Sequence, residues 1–253
     1  MILNKCCKIT EKKLIAHGIG DIYSVWFNCP EIAAQVCPGQ FAEIRCDGFM
    51  LRRPISICEV SECGIRLVFE VRGEGTDWLA GVEEGTELEV MAPLGNGFAT
   101  VEGAKALLIG GGIGVPPLLE LAKYYKENAV AALGFKRAEG AILYEDYSAN
   151  CKTAVATEDG SLGEKGYVSA AVEKLLEEGS KPDVIYACGP TPLLKYAAGL
   201  AEKLGVRCQL SLEQRMGCGV GACLVCACKV KTGEGYKRVC KDGPVFEYDE
   251  VEL

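Results

Sequence analysis

Four cysteines near the end of the chain, Cys218, Cys223, Cys226 and Cys240, are separated by four, two and thirteen residues. Such a run lets a loop wrap one side of a dinuclear cluster while a more distant cysteine closes the other, which is the plant-type [2Fe-2S] spacing. Gly217, Gly219 and Gly221 are interleaved with these cysteines. Glycine can take positive φ and bring backbone N–H groups close to sulfur, where they stabilise its negative charge. The competing readings are structural zinc and unliganded buried thiols. Structural zinc prefers two close cysteine pairs, and here only Cys223 and Cys226 stand two residues apart, so the spacing points to iron and sulfide. Cys228 lies outside the register and is read as a bystander.

A second constellation starts with the apolar run Ala106 to Ile109, passes through Gly110-Gly111-Gly112-Ile113-Gly114-Val115-Pro116-Pro117 and ends in an apolar helical stretch, Leu118 to Tyr125. Strand, glycine turn and helix start together offer free N–H groups and a positive dipole end to a pyrophosphate. The run departs from G-x-G-x-x-G, and the next strand ends in Leu133-Gly134-Phe135-Lys136-Arg137 without the acid that usually meets a ribose. A tight turn between packed elements therefore stays open, and Lys136 with Arg137 leaves a 2′-phosphate open too. The third constellation is Arg53-Pro54-Ile55-Ser56, followed by Gly73-Glu74-Gly75-Thr76. An arginine can neutralise a diphosphate, a hydroxyl can reach a flavin ring nitrogen, and a Gly-x-Gly-Thr turn can present N–H groups to phosphate. Taken alone, each fragment reads more readily as a surface charge or a turn.

These groups need elements to hold them. Between the start and about Ala92, six short runs rich in β-formers (Cys7 to Ile15, Ile22 to Phe27, Phe41 to Cys46, Pro54 to Cys58, Arg66 to Val71, Glu87 to Met91) are separated by glycine and proline, which suggests a small antiparallel barrel. After Pro93-Leu94-Gly95-Asn96-Gly97 the rhythm changes. Apolar strands at Ala106 to Ile109, Val130 to Leu133, Ala141 to Tyr144, Thr153 to Thr157 and Val184 to Ala187 alternate with helical stretches, the signature of a parallel α/β sheet. One helix is well marked: Thr191 as cap, Pro192 in the first turn, an apolar face of Leu193, Ala197, Leu200 and Leu204, and Gly205 as the stop. A strand-like run from Cys208 to Glu213 then leads into the cysteine-rich segment and an acidic tail. The expected division is residues 1–97, 98–207 and 208–253.

Composition bounds the function. Over 253 residues, 27 Lys and Arg stand against 35 Asp and Glu, a net charge of -8, so nucleic acids and anionic membranes are poor partners. The single histidine, His17, excludes a His₃ zinc site. Fifteen cysteines, an odd count without a secretory signal, read as thiols or metal ligands in a cytoplasmic protein, and the most apolar stretch is too short and too rich in glycine to span a membrane.

In this order, the barrel with Arg53-Pro54-Ile55-Ser56, the α/β unit with Gly110 to Gly114, and Tyr186-Ala187-Cys188-Gly189-Pro190 resemble the ferredoxin–NADP reductase superfamily over residues 1 to about 213. The runs Met216 to Cys223 and Tyr236 to Phe246 narrow the resemblance to the electron transfer subunits of NAD-dependent dihydroorotate dehydrogenase B, over essentially the whole chain. The resemblance implies FAD on the barrel, with Arg53, Pro54, Ile55 and Ser56 at the flavin, Val68, Phe69 and Glu70 alongside it, and Gly75 and Thr76 at the phosphates. It implies NAD at Gly110, Gly111, Gly112 and Gly114 and near Cys188 and Gly189, with the cluster on Cys218, Cys223, Cys226 and Cys240. Cys188 stands beside the nicotinamide or is an inert buried thiol. The chain has Ile55 where many relatives carry tyrosine, and it runs on into the cysteine module instead of ending in an aromatic residue.

The implied activity is transfer of electrons from a dihydroorotate-oxidising FMN subunit through the cluster and FAD to NAD⁺ in pyrimidine synthesis, within a heterotetramer of two copies of each chain. No general base of this chain's own is required. Two alternatives remain at this point: a related reductase subunit linking NAD(P)H to ferredoxin, sulfide or hydrogenase chemistry, and a non-catalytic zinc-binding adaptor.

Overall fold

In the computed structural model, which describes residues 1–17 and 20–253, the first unit is a closed antiparallel barrel. Its strands are β1 (Leu3–Ala16), β2 (Ile22–Asn28), β3 (Phe41–Ile44), β4 (Arg53–Val60), β5 (Gly64–Glu70) and β6 (Glu87–Leu94), with the short helices α1 (Pro30–Ala33) and α2 (Glu74–Gly81) between them. The order around the barrel is β1-β2-β5-β4-β3-β6. Alternation places Val25, Phe27, Ile44, Ile57, Ile65 and Leu67 inside, all essentially buried, each such side chain contributing about 1.5–3 kcal/mol of transfer free energy.

The second unit comprises β7 (Ala106–Gly111), α3 (Leu119–Tyr125), β8 (Ala129–Phe135), α4 (Tyr144–Ser148), β9 (Lys152–Thr157), β10 (Glu164–Lys165), α5 (Val168–Glu177), β11 (Val184–Cys188), α6 (Thr191–Leu204) and β12 (Arg207–Ser211). The sheet runs β10-β9-β8-β7-β11-β12, all parallel, and is extended by β15 below. Strand order reverses between β7 and β11, so their carboxyl ends flank a crevice of the kind that receives ligands in open α/β sheets. One face packs under α5 and α6, and the other meets α3, α4 and the barrel through Cys58, Val68, Val115 and Leu118.

The remaining strands are β13 (Ala227–Lys229), β14 (Tyr236–Arg238) and β15 (Val245–Glu247). β13 and β14 form a small hairpin, while β15 joins the large sheet antiparallel to β12. The sheet therefore crosses the expected boundary at residue 208, which falls inside β12. Asn96 ties this segment back to the barrel, its side-chain amide donating to the carbonyls of Lys241 (3.3 Å) and Asp242 (3.0 Å).

Two sequence expectations change. The strand expected over Ala141 to Tyr144 is a turn leading into α4; Leu143 takes a left-handed φ of 60°, and Ile142 and Leu143 bury as single residues against the α3 face. A four-residue apolar run carries too few positions to separate the two periods. In α6 the cap position is Pro190 and not Thr191, and the buried stripe is Leu193, Leu194, Ala197 and Ala201, with Leu204 exposed. Gly205 ends the helix in the left-handed region, as expected.

Candidate active site: a cleft beside the cysteine loop

The cysteine loop opens with Gly219 and Gly221 at φ 66° and 80°. These turns aim N–H groups inward: Ala222 and Cys223 donate to Cys218 Sγ at 3.2 and 3.4 Å, Gly221 to Cys240 Sγ at 3.1 Å, and Cys240 to Cys226 Sγ at 3.4 Å. Burial opposes ionisation of Cys218, but the N–H groups of Cys223, Val220 and Ala222 and the neighbouring Cys223 thiol bring it down to about 6. Cys240 is pushed up to about 12 by burial and by its pairing with Cys226.

The thiols thus stand as two pairs, Cys218 with Cys223 and Cys226 with Cys240. Two thiol pairs in a shell of N–H donors fit a dinuclear cluster. Cys226 and Cys240 are buried, Cys218 is half-buried and Cys223 is exposed. Cys228 donates to the Lys237 carbonyl at 3.4 Å, within the hairpin.

On the barrel, Arg53 at the start of β4 lies against Gly75 in the first turn of α2. A Cβ at Gly75 would stand 1.8 Å from Arg53 Nε, so glycine is required for this approach. The guanidinium is stacked 4.8 Å from the Phe49 ring. A fixed cation beside N–H groups that a helix start leaves unpaired is a cradle suited to the diphosphate of FAD. Thr76 does not point a free hydroxyl there; its Oγ1 accepts from the N–H of Arg72 (2.9 Å) and Gly73 (3.2 Å) and closes the turn from within.

Ile55 is buried toward the barrel core, Ser56 is half-buried opposite Phe41, and Pro54 is exposed. Val68 packs between barrel and sheet, Phe69 stacks on Tyr23 with ring centroids 5.8 Å apart, and Glu70 pairs with Arg72 at 2.6 Å.

At the switch point, Gly110 and Gly111 close β7 and Gly114 abuts the end of β11, where a Cβ would lie 2.5 Å from the Cys188 carbonyl oxygen. Gly112, at φ 53°, has open space beside it. The two nucleotide segments read from the sequence are therefore adjacent in space, and their glycine turn fits a dinucleotide. Burial pushes the Cys188 thiol up to about 12, with Ser211 opposing and Glu213 reinforcing the shift, so it is held as a neutral thiol. Arg137 reaches Asp159 at 4.0 Å, so a carboxylate accompanies the cation considered for a 2′-phosphate.

A cleft of about 990 Å³ joins these parts. Arg53 and Pro54 form one wall, Gly189 and Leu194 a second, and Met216, Cys218 and Cys223 a third. Ser56, Val68, Phe69, Glu70, Thr76 and the Gly110–Gly114 turn do not line it. Sequence reading missed Leu194, Glu213 and Met216 in the walls, and Arg238, whose Nη1 donates to the Gly221 carbonyl at 3.1 Å while Asp242 holds its Nε at 3.0 Å. Arg238 and Asp242 bracket Cys240, which is a local signal; nothing local marks Leu194 or Met216.

Residues 213–252 match the iron-sulfur cluster binding domain of dihydroorotate dehydrogenase B. The dihydroorotate dehydrogenase B (NAD⁺) electron transfer subunit of Caldanaerobacter subterraneus is 47% identical over 85% of this chain and 86% of its own. That of Geobacillus thermodenitrificans is 45% identical over the whole of both chains. Among solved structures, a chain of an NADH-dependent reduced ferredoxin–NADP oxidoreductase superposes with a TM-score of 0.87 at 32% identity, covering 98% of this chain and 90% of that one. The ferredoxin reductase of carbazole 1,9a-dioxygenase (TM-score 0.67, 22% identity, 81% of this chain and 67% of that one) is similar in fold.

Proposed function

The chain belongs to the family of dihydroorotate dehydrogenase B electron transfer subunits, and on that premise we propose that it carries electrons from a separate, dihydroorotate-oxidising FMN subunit to NAD⁺. It is an NAD-linked iron–sulfur flavoprotein component. When bound, the cluster handles single electrons and the nicotinamide a hydride, while the flavin can do either and so joins the two.

The chain's own residues position these groups. Cys218, Cys223, Cys226 and Cys240 hold the cluster, and the loop N–H groups stabilise charge on it. Arg53 and the first turn of α2 would hold the flavin diphosphate, with Ile55, Ser56, Val68, Phe69 and Glu70 of the adjoining strands supporting the flavin site. Gly110 to Gly114 and Cys188-Gly189 would receive the nicotinamide nucleotide, with Cys188 held as a neutral thiol at that site. The observation that carries this reading is the single cleft with one wall from each site: Arg53 and Pro54, Gly189, and Cys218 with Cys223. The working units are the barrel, the sheet, and the cysteine segment between β12 and β15.

The partner docks at the exposed rim of the loop, where Val220, Leu224 and Val225 present apolar surface around Cys223; the assembly has two copies of each chain and works in the cytoplasm. No helix among the described residues is long and apolar enough to cross a membrane.

The test is a coupled assay. With the catalytic subunit present, dihydroorotate should drive NADH formation, and omission of either chain should abolish it. The likeness to the NADH-dependent ferredoxin–NADP oxidoreductase favours a second reading, NAD(P)H–ferredoxin coupling. NADH formation from reduced ferredoxin, with none from dihydroorotate, would select it.

A further inference from the structure

Glu43 lies on β3, whose four residues are all buried. Ala42 and Ile44 face the barrel core, while Phe41 belongs to the apolar cluster that also contains Cys226, Cys240 and Phe246 of the cysteine segment. Strand alternation therefore turns Glu43 to the same outer side as Phe41. Its carboxyl, with the residue only 2% exposed, is pressed against Gly219, the neighbour of Cys218. A Cβ at Gly219 would sit 2.5 Å from Glu43 Oε1 and from its carboxyl carbon. Burial raises the Glu43 carboxyl, opposed by the charge of Arg52, whose guanidinium is itself engaged by the Glu89 carboxylate.

A buried carboxyl at a protein seam is costly to folding. An apolar or amide residue would fill the place at lower cost, so its position against the cysteine loop calls for a use. The N–H groups around the thiols favour added negative charge on the cluster; a carboxylate beside the same loop opposes it.

We infer that Glu43 is a positioning residue for redox potential: its charge, carried by the barrel, holds the cluster's potential down, with Arg52 as the counterweight. The inference rests on the cluster reading above and goes beyond it in assigning a residue outside the cysteine segment. At an effective dielectric near 20, a unit charge about 12 Å away shifts a one-electron equilibrium by about tenfold, or about 59 mV, and a nearer charge shifts it further. Low potential in the cluster keeps it a ready donor to the flavin.

The experiment is an anaerobic redox titration of the full chain, followed by the electron paramagnetic resonance of the reduced cluster, with iron and sulfide measured in every sample. Glu43→Gln should raise the reduced-to-oxidised ratio at fixed poise about tenfold, with an unfolding temperature equal to or above that of the native chain. Glu43→Asp, which keeps the charge, should stay within about twofold, and Arg52→Gln should move the ratio the other way. An unchanged or lowered ratio in Glu43→Gln overturns the inference. If Glu43→Gln fails to hold a cluster, an unchanged ratio in Arg52→Gln overturns it equally. A native chain free of iron and sulfide overturns instead the reading beneath it.

Discussion

In the cysteine loop all four thiols come from residues 218–240, and the groups that support them, Gly221, Ala222 and Arg238, lie within the same stretch. The adjoining cleft is built the other way: its walls begin at Leu51 and end at Val225, drawn from the barrel, the sheet and the loop. The first is a site written locally and folded around its ligands. The second exists only after three units have packed together. Damage to the loop should therefore remove one cofactor and spare the others, whereas damage to the packing should alter the cleft as a whole.

The largest effect is expected from Cys226→Ser. It removes a buried ligand without touching Arg53 or the switch-point glycines, so NADH oxidation with a dye acceptor should persist. Electron exchange with the partner subunit should fall by at least ~100-fold, since losing even an outer-shell partner of a metal site costs about 10- to 100-fold. Equal loss of both activities would break the comparison. A smaller effect is expected from Arg53→Ala, which removes a charge-assisted contact worth about 1.5–3 kcal/mol. FAD affinity, measured by flavin fluorescence on dilution, should weaken about 10- to 100-fold while the cluster's absorption is retained.

The smallest effect concerns how the cleft is held. Glu59 on β4 is shared by Arg66 at 3.0 Å and by Lys123 of α3, and Arg66 also reaches Asp146 of α4 at 3.4 Å. Burial alone would push the Glu59 carboxyl up, but these two cations hold it below its ordinary value. A depressed carboxylate contributes stability that is complete above its unfolded pKa and disappears as pH falls through its folded one. Glu59→Gln should accordingly cost about 2 kcal/mol at neutral pH, between the ranges for exposed and buried ion pairs, with the difference from the native chain vanishing in acid. Thermal unfolding at pH 7 and in the acid carboxylate range measures both.

The legibility of the molecule follows the same division. The barrel strands and most of the parallel strands can be read because period-two patterns and apolar runs are local, and the cysteine spacing is local chemistry. The return of β15 to the sheet edge, the adjacency of Gly114 to Cys188, and Glu43 against Gly219 join residues far apart in sequence. Nothing in the neighbourhood of Glu43 distinguishes it from a solvent-facing strand residue; only the packing of the cysteine segment on β3 buries it. Thr76 illustrates the converse, since its hydroxyl is consumed by its own turn, a competition the motif does not reveal.

The proposed function requires electrons to pass between nicotinamide and cluster inside one chain. The direct measurement is the visible spectrum of anaerobically purified native protein before and after NADH. Flavin and iron–sulfur absorption should both be present and both bleach, with iron and labile sulfide in equal amounts. A colourless protein carrying zinc, or a flavin that bleaches while the iron–sulfur absorption stays unchanged, would contradict it.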